Sequence, residues 1–308
     1  MRSSIWKKGL ICLSAVMLLE CPVGALPGTA YTAKAEETDD KTDTSNIKSI
    51  LLIGQDKREG QSRQRSDSMI LATLDKDQKT ISLTSFMRDL YVAIPGYSST
   101  RINAAYAYGG MDLLDETLTQ NFGVEIDGNV EVDFEVFQVL VDKVGGIDLE
   151  LTQAEADYIC GRDQSVLYPQ PLRTDWDLQE GMNHLDGEQA LIHARNRSIG
   201  NSDYRRTERQ QEVLMAAFEK VKDLSAFSIA GLVKDVLPLV TTDLSFTEII
   251  GYVMDVMSIG TGDIATYRIP EDGAYTPQTI SGMQVLVPDL EQNRKYLQQV
   301  LSHAEAYL

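Results

Sequence analysis

The chain has 308 residues, is 43% hydrophobic and 24% charged, and carries 28 Lys+Arg against 46 Asp+Glu, a formal net charge of −18. This composition excludes a disordered, collagen-like or multi-span membrane chain and supplies enough apolar sequence for one large domain or two small ones. So acidic a molecule lacks the positive footprint that phosphate backbones require, so no nucleic-acid partner is expected.

Residues 1–35 differ from the rest. Arg2, Lys7 and Lys8 make a positive start, residues 9–19 are uncharged and mostly apolar, and Glu20 and Pro22 interrupt the run. The small-residue triplets Val23-Gly24-Ala25 and Ala33-Lys34-Ala35 follow. The pattern reads as a signal peptide or as a retained N-terminal membrane anchor; the apolar run is shorter than the about 20 residues of an uninterrupted span. Either reading places the body outside the cytoplasm. Without this leader the balance is 24 basic against 45 acidic residues, net −21. Cys12 and Cys21 lie in the leader and leave Cys160 alone, which rules out a disulfide framework in the body. Residues 36–47 are polar and acidic and read as a flexible tether.

The body then alternates. Residues 50–53 form a short apolar strand that stops at Gly54. Residues 68–74 and 81–86 pair as a hairpin across Asp75-Lys76-Asp77-Gln78. A strand over 91–94 ends at Pro95-Gly96. A helical pattern covers 103–121 with Gly123 as its stop. A strand over 130–132 leads to Asp133, which caps a helix that Gly145-Gly146 ends, and 147–151 is a strand. Residues 160–180 mix Gly, Pro, Asp, Arg and Trp without period and read as a long loop, a class that often carries function. Helices are predicted over 186–197, from a cap at Asp203 to about 224, over 226–238, 245–258 and 288–301, with a strand at 264–269. The alternation implies an α/β fold: a single domain with a mixed central β-sheet flanked by helices, its main part at 48–224 and a C-terminal helical extension at 225–308 packed on it.

Arginine placement carries the chemistry. Five of the fourteen Arg after the leader lie between Arg195 and Arg209, and three lie between Arg58 and Arg65. A chain this acidic that gathers Arg in two segments is building a local anion site, for which the planar, permanently charged fork is suited. On a helix, Arg206, Arg209 and Gln210 fall at i, i+3 and i+4 and share a face. They equally read as a solvated face paired with Asp203, Glu208 and Glu212. Asp56 and Asp67 border two strands; they read as Mg²⁺-associated carboxylates or as ordinary turn residues. Arg88-Asp89 closes a strand as a rim salt bridge or a site pair. The three His have no metal-ligand spacing, and no Gly-Gly pair is followed by the Lys-Ser/Thr of a phosphate-binding loop.

The runs LLIGQDKRE, RQRSDSMILATL, ISLTSFMRDLYVAIPGY, RINAAYAYGG, VDKVGGIDLEL, LDGEQALIHARNR and SDYRRTERQQ, in this order over residues 50–222, resemble the LytR–CpsA–Psr family of bacterial cell-envelope proteins. The resemblance implies an extracytoplasmic phosphotransferase, anchored or secreted. It would move an anionic glycopolymer, of teichoic acid or capsule type, from a polyprenyl-pyrophosphate carrier at the outer membrane face to peptidoglycan, with Mg²⁺ as cofactor. By position, Asp56 and Asp67 match metal-associated carboxylates. Arg65, Arg101, Arg195, Arg197, Arg206 and Gln210 match pyrophosphate-binding positions. Arg88 matches the arginine needed for catalysis and Asp89 its partner, with Asp67 or Asp89 as base. Met87 stands where the family pattern carries Pro, Ser68 where it carries Thr, and Arg101 where it carries Lys. A non-catalytic lipid-glycan or peptidoglycan binding module, or an envelope-related transcriptional attenuator, are the alternative readings.

Overall fold

A computed structural model describes residues 46–55, 65–200, 202–222, 224–260 and 264–302. The leader, almost all of the tether, and Asp56, Arg58 and Arg63 lie outside the described residues. In chain order the elements are β1 (Ile47–Gln55), β2 (Ser66–Asp75), β3 (Thr80–Phe86), β4 (Tyr91–Val92), β5 (Thr100–Arg101), α1 (Asn103–Phe122), β6 (Gly128–Asp133), α2 (Phe134–Lys143), β7 (Ile147–Leu151), α3 (Gln153–Ile159), β8 (Gly181–Leu185), α4 (Gly187–Arg195), α5 (Ser202–Lys222), α6 (Ala226–Val236), β9 (Thr241–Thr242), α7 (Phe246–Ile259), β10 (Ile264–Ile269), β11 (Tyr275–Ile280), β12 (Met283–Pro288) and α8 (Leu290–Ser302).

Six strands form the central sheet in the order β10-β3-β2-β1-β6-β9. β1, β2 and β3 are antiparallel neighbours; β6 joins β1, and β10 joins β3, in parallel. The sheet is mixed, as the alternation predicts. Its central strands are apolar on both faces, which requires cover on both sides. Leu51, Ile53, Met69 and Leu71 face one way, into a core with Leu114, Leu118 and Phe122 of α1 and Leu297 of α8. Ile70, Ala72 and Leu83 face the other way, onto Leu214, Met215 and Phe218 of α5. A second core on the far side of α5 gathers α2, α3, α4, β7 and β8 around Val213 and Ala216. α5 is therefore the helix shared by the sheet and this outer group.

The local signals hold at several ends. Asp133 caps α2 by accepting from the Val136 N–H, and Asp186 caps α4 within a reciprocal capping box. Gly123 ends α1 at φ 74°, the left-handed conformation that suits glycine. The segment after residue 224 departs from the expected helical extension. It supplies both edge strands of the central sheet, β9 and β10, and a further hairpin, β11–β12. The strand at 264–269 is the expected one; β9 and the β11–β12 hairpin are not, and an edge strand of two residues carries no period to read.

Those late strands brace the turn that leaves β3. The Met87 N–H donates to Ile269 O at 2.8 Å, the Leu286 N–H to Asp89 O at 2.9 Å and the Ile102 N–H to Leu90 O at 2.7 Å. A proline at 87, as in the family pattern, has no N–H for the first of these. Just before this turn, Phe86 lies 5.3 Å from Phe122, ring to ring. Phe122 is 1% exposed. Phe122→Ala is expected to cost about 3–5 kcal/mol, read as a lowered urea midpoint with an unchanged slope.

Candidate active site

A β-bulge builds the site's first carboxylate. Gly54 pairs with Ser68 and Gln55 with Ser66, so Asp67 is the extra residue of β2. Such an insertion breaks the ladder locally and re-aims a side chain. The strands approach closely here: a Cβ on Gly54 would sit 3.0 Å from Ser68 Cβ. The turn after β3 supplies Arg88, whose Nη1 donates to Asp67 Oδ1 at 2.7 Å. The start of α5 supplies Asp203, Arg206 and Gln210, and the loop before it supplies Arg197.

Three guanidinium groups surround one carboxylate. Asp203 Oδ1 lies 3.2 Å from Arg206 Nη2, 3.8 Å from Arg88 Nη2 and 4.0 Å from Arg197 Nε. Arg88 Nε is 3.8 Å from Asp89 Oδ2. Ser68 Oγ donates to Gln210 Oε1 at 3.0 Å, which fixes Gln210 against β2. The Arg206 side chain is buried, yet its Nε and Nη1 have no protein acceptor. Burial, and then the charges of Arg88 and Arg197, push its pKa down to about 10. Burial and the Arg88 charge lower Arg197 in the same direction. These are cations held short of their full complement of acceptors, a state an incoming anion relieves.

They line a cavity of about 720 Å³. Asp67, Arg88, Arg195, Arg197, Arg206 and Gln210 form one polar part; Phe134, Tyr158, Ile159, Leu191, Ile192 and Pro171 form an apolar wall, with Gln138, Gln170 and the Arg173–Glu188 ion pair also in the lining. The volume lies within the roughly 300–1,000 Å³ of small-ligand sites. Arg195 stacks on Phe134, its Cζ 4.0 Å from the ring centroid, where polar and apolar linings meet. Behind the polar part, a recess of about 10 Å³ is bounded by Ser68, Asp89, Asp203 and Thr207, among others.

The site residues expected from sequence do not all converge. Asp67, Arg88, Arg195, Arg197, Arg206 and Gln210 meet in the cavity, and Asp89 lines the recess. Arg101 does not line either; its Nε is 3.1 Å from Asp89 Oδ1, and its fork donates to Gln284 O of β12. Arg65 is exposed just ahead of β2 and lines neither space. Asp56 lies outside the described residues. Arg209 does not share the face of Arg206 and Gln210. Steps of three and four residues fall on opposite sides of the starting direction, about 100° apart in all. Arg209 is instead 1% exposed, donating to Glu155 Oε1 at 2.9 Å and to the Asn196 and Ile199 carbonyls. It thereby holds the loop that carries Arg197. Asp203, expected as a cap or as an ion-pair partner on a solvated face, is the carboxylate at the centre of the arginines; its i,i+3 spacing to Arg206 was the sequence signal. The apolar wall comes from four separate segments and has no such signal. Among the described residues no three His, Cys, Asp or Glu side chains gather as a protein-only metal cage. Mg²⁺ commonly takes one or two carboxylates and completes its shell with substrate phosphate and water, and Asp67 beside the arginines fits that mode.

Two variants separate support from chemistry. Arg209→Ala removes the close charge partner of buried Glu155, leaving it Arg205 at 3.6 Å and the Thr152 hydrogen bonds, and is expected to cost about 3 kcal/mol in urea unfolding. Arg206→Met removes a repelled charge. The folded-state pKa, about 10, lies below the ordinary guanidinium value, so the penalty is fully present at neutral pH and relaxes only as pH rises above about 10. Arg206→Met is therefore expected to keep or raise the urea midpoint at pH 7. It is also expected to abolish the stabilisation by inorganic pyrophosphate, which for the parent is about 2.7 kcal/mol at about 100 times its Kd.

The LytR_cpsA_psr family model matches residues 27–299. The chain is 31% identical over 251 residues to the polyisoprenyl-teichoic acid–peptidoglycan teichoic acid transferase TagU of Oceanobacillus iheyensis, covering 76% of this chain and 73% of that one. It is 35% identical over 182 residues to the transferase TagT of Bacillus subtilis, covering 58% of this chain and 54% of TagT, so the match spans about half the length of that relative. A solved structure of TagT with bound octaprenyl pyrophosphate lipid superposes with a TM-score of 0.63 at 26% identity, over 84% of this chain and 91% of that one. The strands, the arginine-lined cavity and the matched length converge on one assignment: the chain belongs to the LytR_cpsA_psr family.

Proposed function

We propose that this protein is a phosphotransferase of the bacterial cell envelope, acting outside the cytoplasmic membrane. It takes a glycopolymer of teichoic acid or capsule type from a polyprenyl-pyrophosphate carrier and joins it to peptidoglycan. The observation that carries the reading is a buried guanidinium, Arg206, with two donors lacking acceptors, in a cavity that also presents an apolar wall of Phe134, Ile159, Leu191 and Ile192. A diphosphate with an isoprenoid tail matches both halves. The names of TagT and TagU, and the octaprenyl pyrophosphate held by TagT, support it.

The chemistry needs no protein nucleophile. An acceptor hydroxyl attacks the phosphorus next to the glycan; the bond from that phosphorus to the bridging oxygen breaks, and polyprenyl phosphate leaves. Such transfers depend on positioning and on stabilising charge spread over the phosphoryl oxygens. Arg88, Arg197 and Arg206 supply that charge without rearrangement, because Asp67, Asp203 and Gln210 already hold the group in place. Mg²⁺ would be held by Asp67 and Asp56 with diphosphate oxygens and would neutralise further negative charge. Asp67 lines both cavity and recess, so it either takes the hydroxyl proton or, serving the metal, leaves that proton to Asp89.

The test incubates the protein with polyprenyl-pyrophosphate-linked glycan, Mg²⁺ and peptidoglycan. Polyprenyl phosphate release is expected, falling roughly 10²–10³-fold in Arg88→Ala. Binding without release identifies a binding module instead. Between Asp67→Asn and Asp89→Asn, the variant that loses the acidic limb of the pH–rate profile has lost the base; unchanged rates in both reject a carboxylate base.

A further inference from the structure

The long loop between α3 and β8 has an unusual surface. Residues 164–172 contain no Asp, Glu, Lys or Arg, in a chain that is 24% charged. Within them Leu167 is 75% exposed, Tyr168 56% and Leu172 61%. The loop is nonetheless well tied down. The Tyr168 N–H donates to Ser198 Oγ at 3.3 Å, Gln170 Nε2 donates to Tyr158 OH at 2.9 Å, and the Arg173 N–H donates to Cys160 O at 2.9 Å. Its apolar side chains are thus displayed on a fixed frame. Of the flanking acids, Asp163 is turned back onto the Ser165 N–H and hydroxyl, and the exposed Asp175 and Asp177 follow beyond Arg173.

The position of the loop says what it displays them to. Tyr168, Gln170 and Pro171 line the arginine-ended cavity, while Leu167 and Leu172, one residue to either side, do not. The strap crosses from Ser198, next to Arg197, to Tyr158 on the apolar wall. Its outer apolar surface is therefore continuous with the wall that would hold an isoprenoid tail. Such a tail has its own hydrocarbon solvent and must cross from one to the other.

We propose that residues 166–172 dock on the surface of a phospholipid bilayer, with Leu167 and Leu172 entering the boundary between headgroups and acyl chains and Tyr168 at the headgroup level. This rests on the polyprenyl-pyrophosphate reading of the cavity and names the surface through which that cavity is loaded. Tyr with flanking Leu is the composition of interfacial anchors. Charge argues the same way. An acidic body is repelled by an anionic leaflet, so the face that approaches it must be one without carboxylates, held by apolar contact.

The experiment compares the full chain with its Leu167→Ser/Leu172→Ser double variant on two donors: an undecaprenyl-pyrophosphate disaccharide in phosphatidylglycerol/phosphatidylethanolamine vesicles, and a water-soluble geranyl-pyrophosphate disaccharide. The double variant is expected to release polyprenyl phosphate roughly tenfold more slowly from vesicles and at the parent's rate from the soluble donor. In parallel, Leu167→Trp is expected to gain fluorescence quenching by vesicles of brominated lipid, beyond that of the parent. Unchanged turnover on vesicles, equal slowing on both donors, or no added quenching each overturns the proposal. If the parent releases nothing from either donor, the transferase reading fails, and the quenching arm still decides whether the loop meets the bilayer.

Discussion

Arg88, Arg197 and Arg206 stand around the one carboxylate of Asp203, and Arg206 keeps two buried donors without acceptors. Much of the surrounding architecture holds this arrangement. Like charges at such separations repel, and dry guanidinium donors are costly, so neighbouring contacts must keep them in place. α5 provides the frame. Its Gln211 donates across to Leu83 O, Ser85 Oγ and Tyr267 O, which ties the helix to β3 and β10. Its Arg209 is paired with buried Glu155 and fixes the preceding loop. One helix therefore presents repelled cations on one side and satisfied ones on the other. This is the familiar exchange of stability for function, localised to successive turns.

The sheet contributes irregularities rather than regular ladder. Asp67 reaches the site because it is the bulged residue of β2, and Arg88 because β3 ends in a turn gripped from both sides. The grip on that turn comes partly from residues 269 and 286, far along the chain. The C-terminal segment is thus part of the frame that positions Arg88. Arg101 belongs to the same brace: by meeting Asp89 and the Gln284 carbonyl together, it links the Arg88-Asp89 turn to β12.

Cavity and strap join two solvents. At one part of the cavity the lining is cationic and hydrogen-bonding; another part is Phe, Tyr, Ile and Leu, with the Arg173–Glu188 pair and Gln138 and Gln170 beside them. A ligand that is both strongly anionic and strongly apolar is rare outside lipid phosphates, and such a ligand resides where water meets hydrocarbon. A rigid, uncharged strap beside the cavity has the composition of that boundary.

By itself the sequence determined the alternation of strands and helices, the hairpin of β2 and β3, the caps at Asp133 and Asp186 and the stop at Gly123. These depend on neighbours within a few residues, where period and turn chemistry act. It also pointed to Asp67, Arg88, Arg195, Arg197, Arg206 and Gln210, which meet in one cavity, because Arg is scarce and clustered in an acidic chain and the motifs around it match a known family. Tertiary structure decided the rest. Whether Arg206 or Arg209 faces the ligand depends on where α5 is gripped, and i+3 and i+4 positions diverge enough for one to enter the cavity and the other a buried ion pair. Only strand register makes Asp67 a bulge. Only the packing of α2, α3, α4 and the long loop encloses an apolar wall, since its residues are ordinary in each segment and become a surface when four segments meet. Residues 264–269 read as a strand from sequence, but that β10 pairs with β3, and that Thr241–Thr242 form a strand at all, follows from the open hydrogen-bonding groups that β3 and β6 offer, a condition set by the sheet.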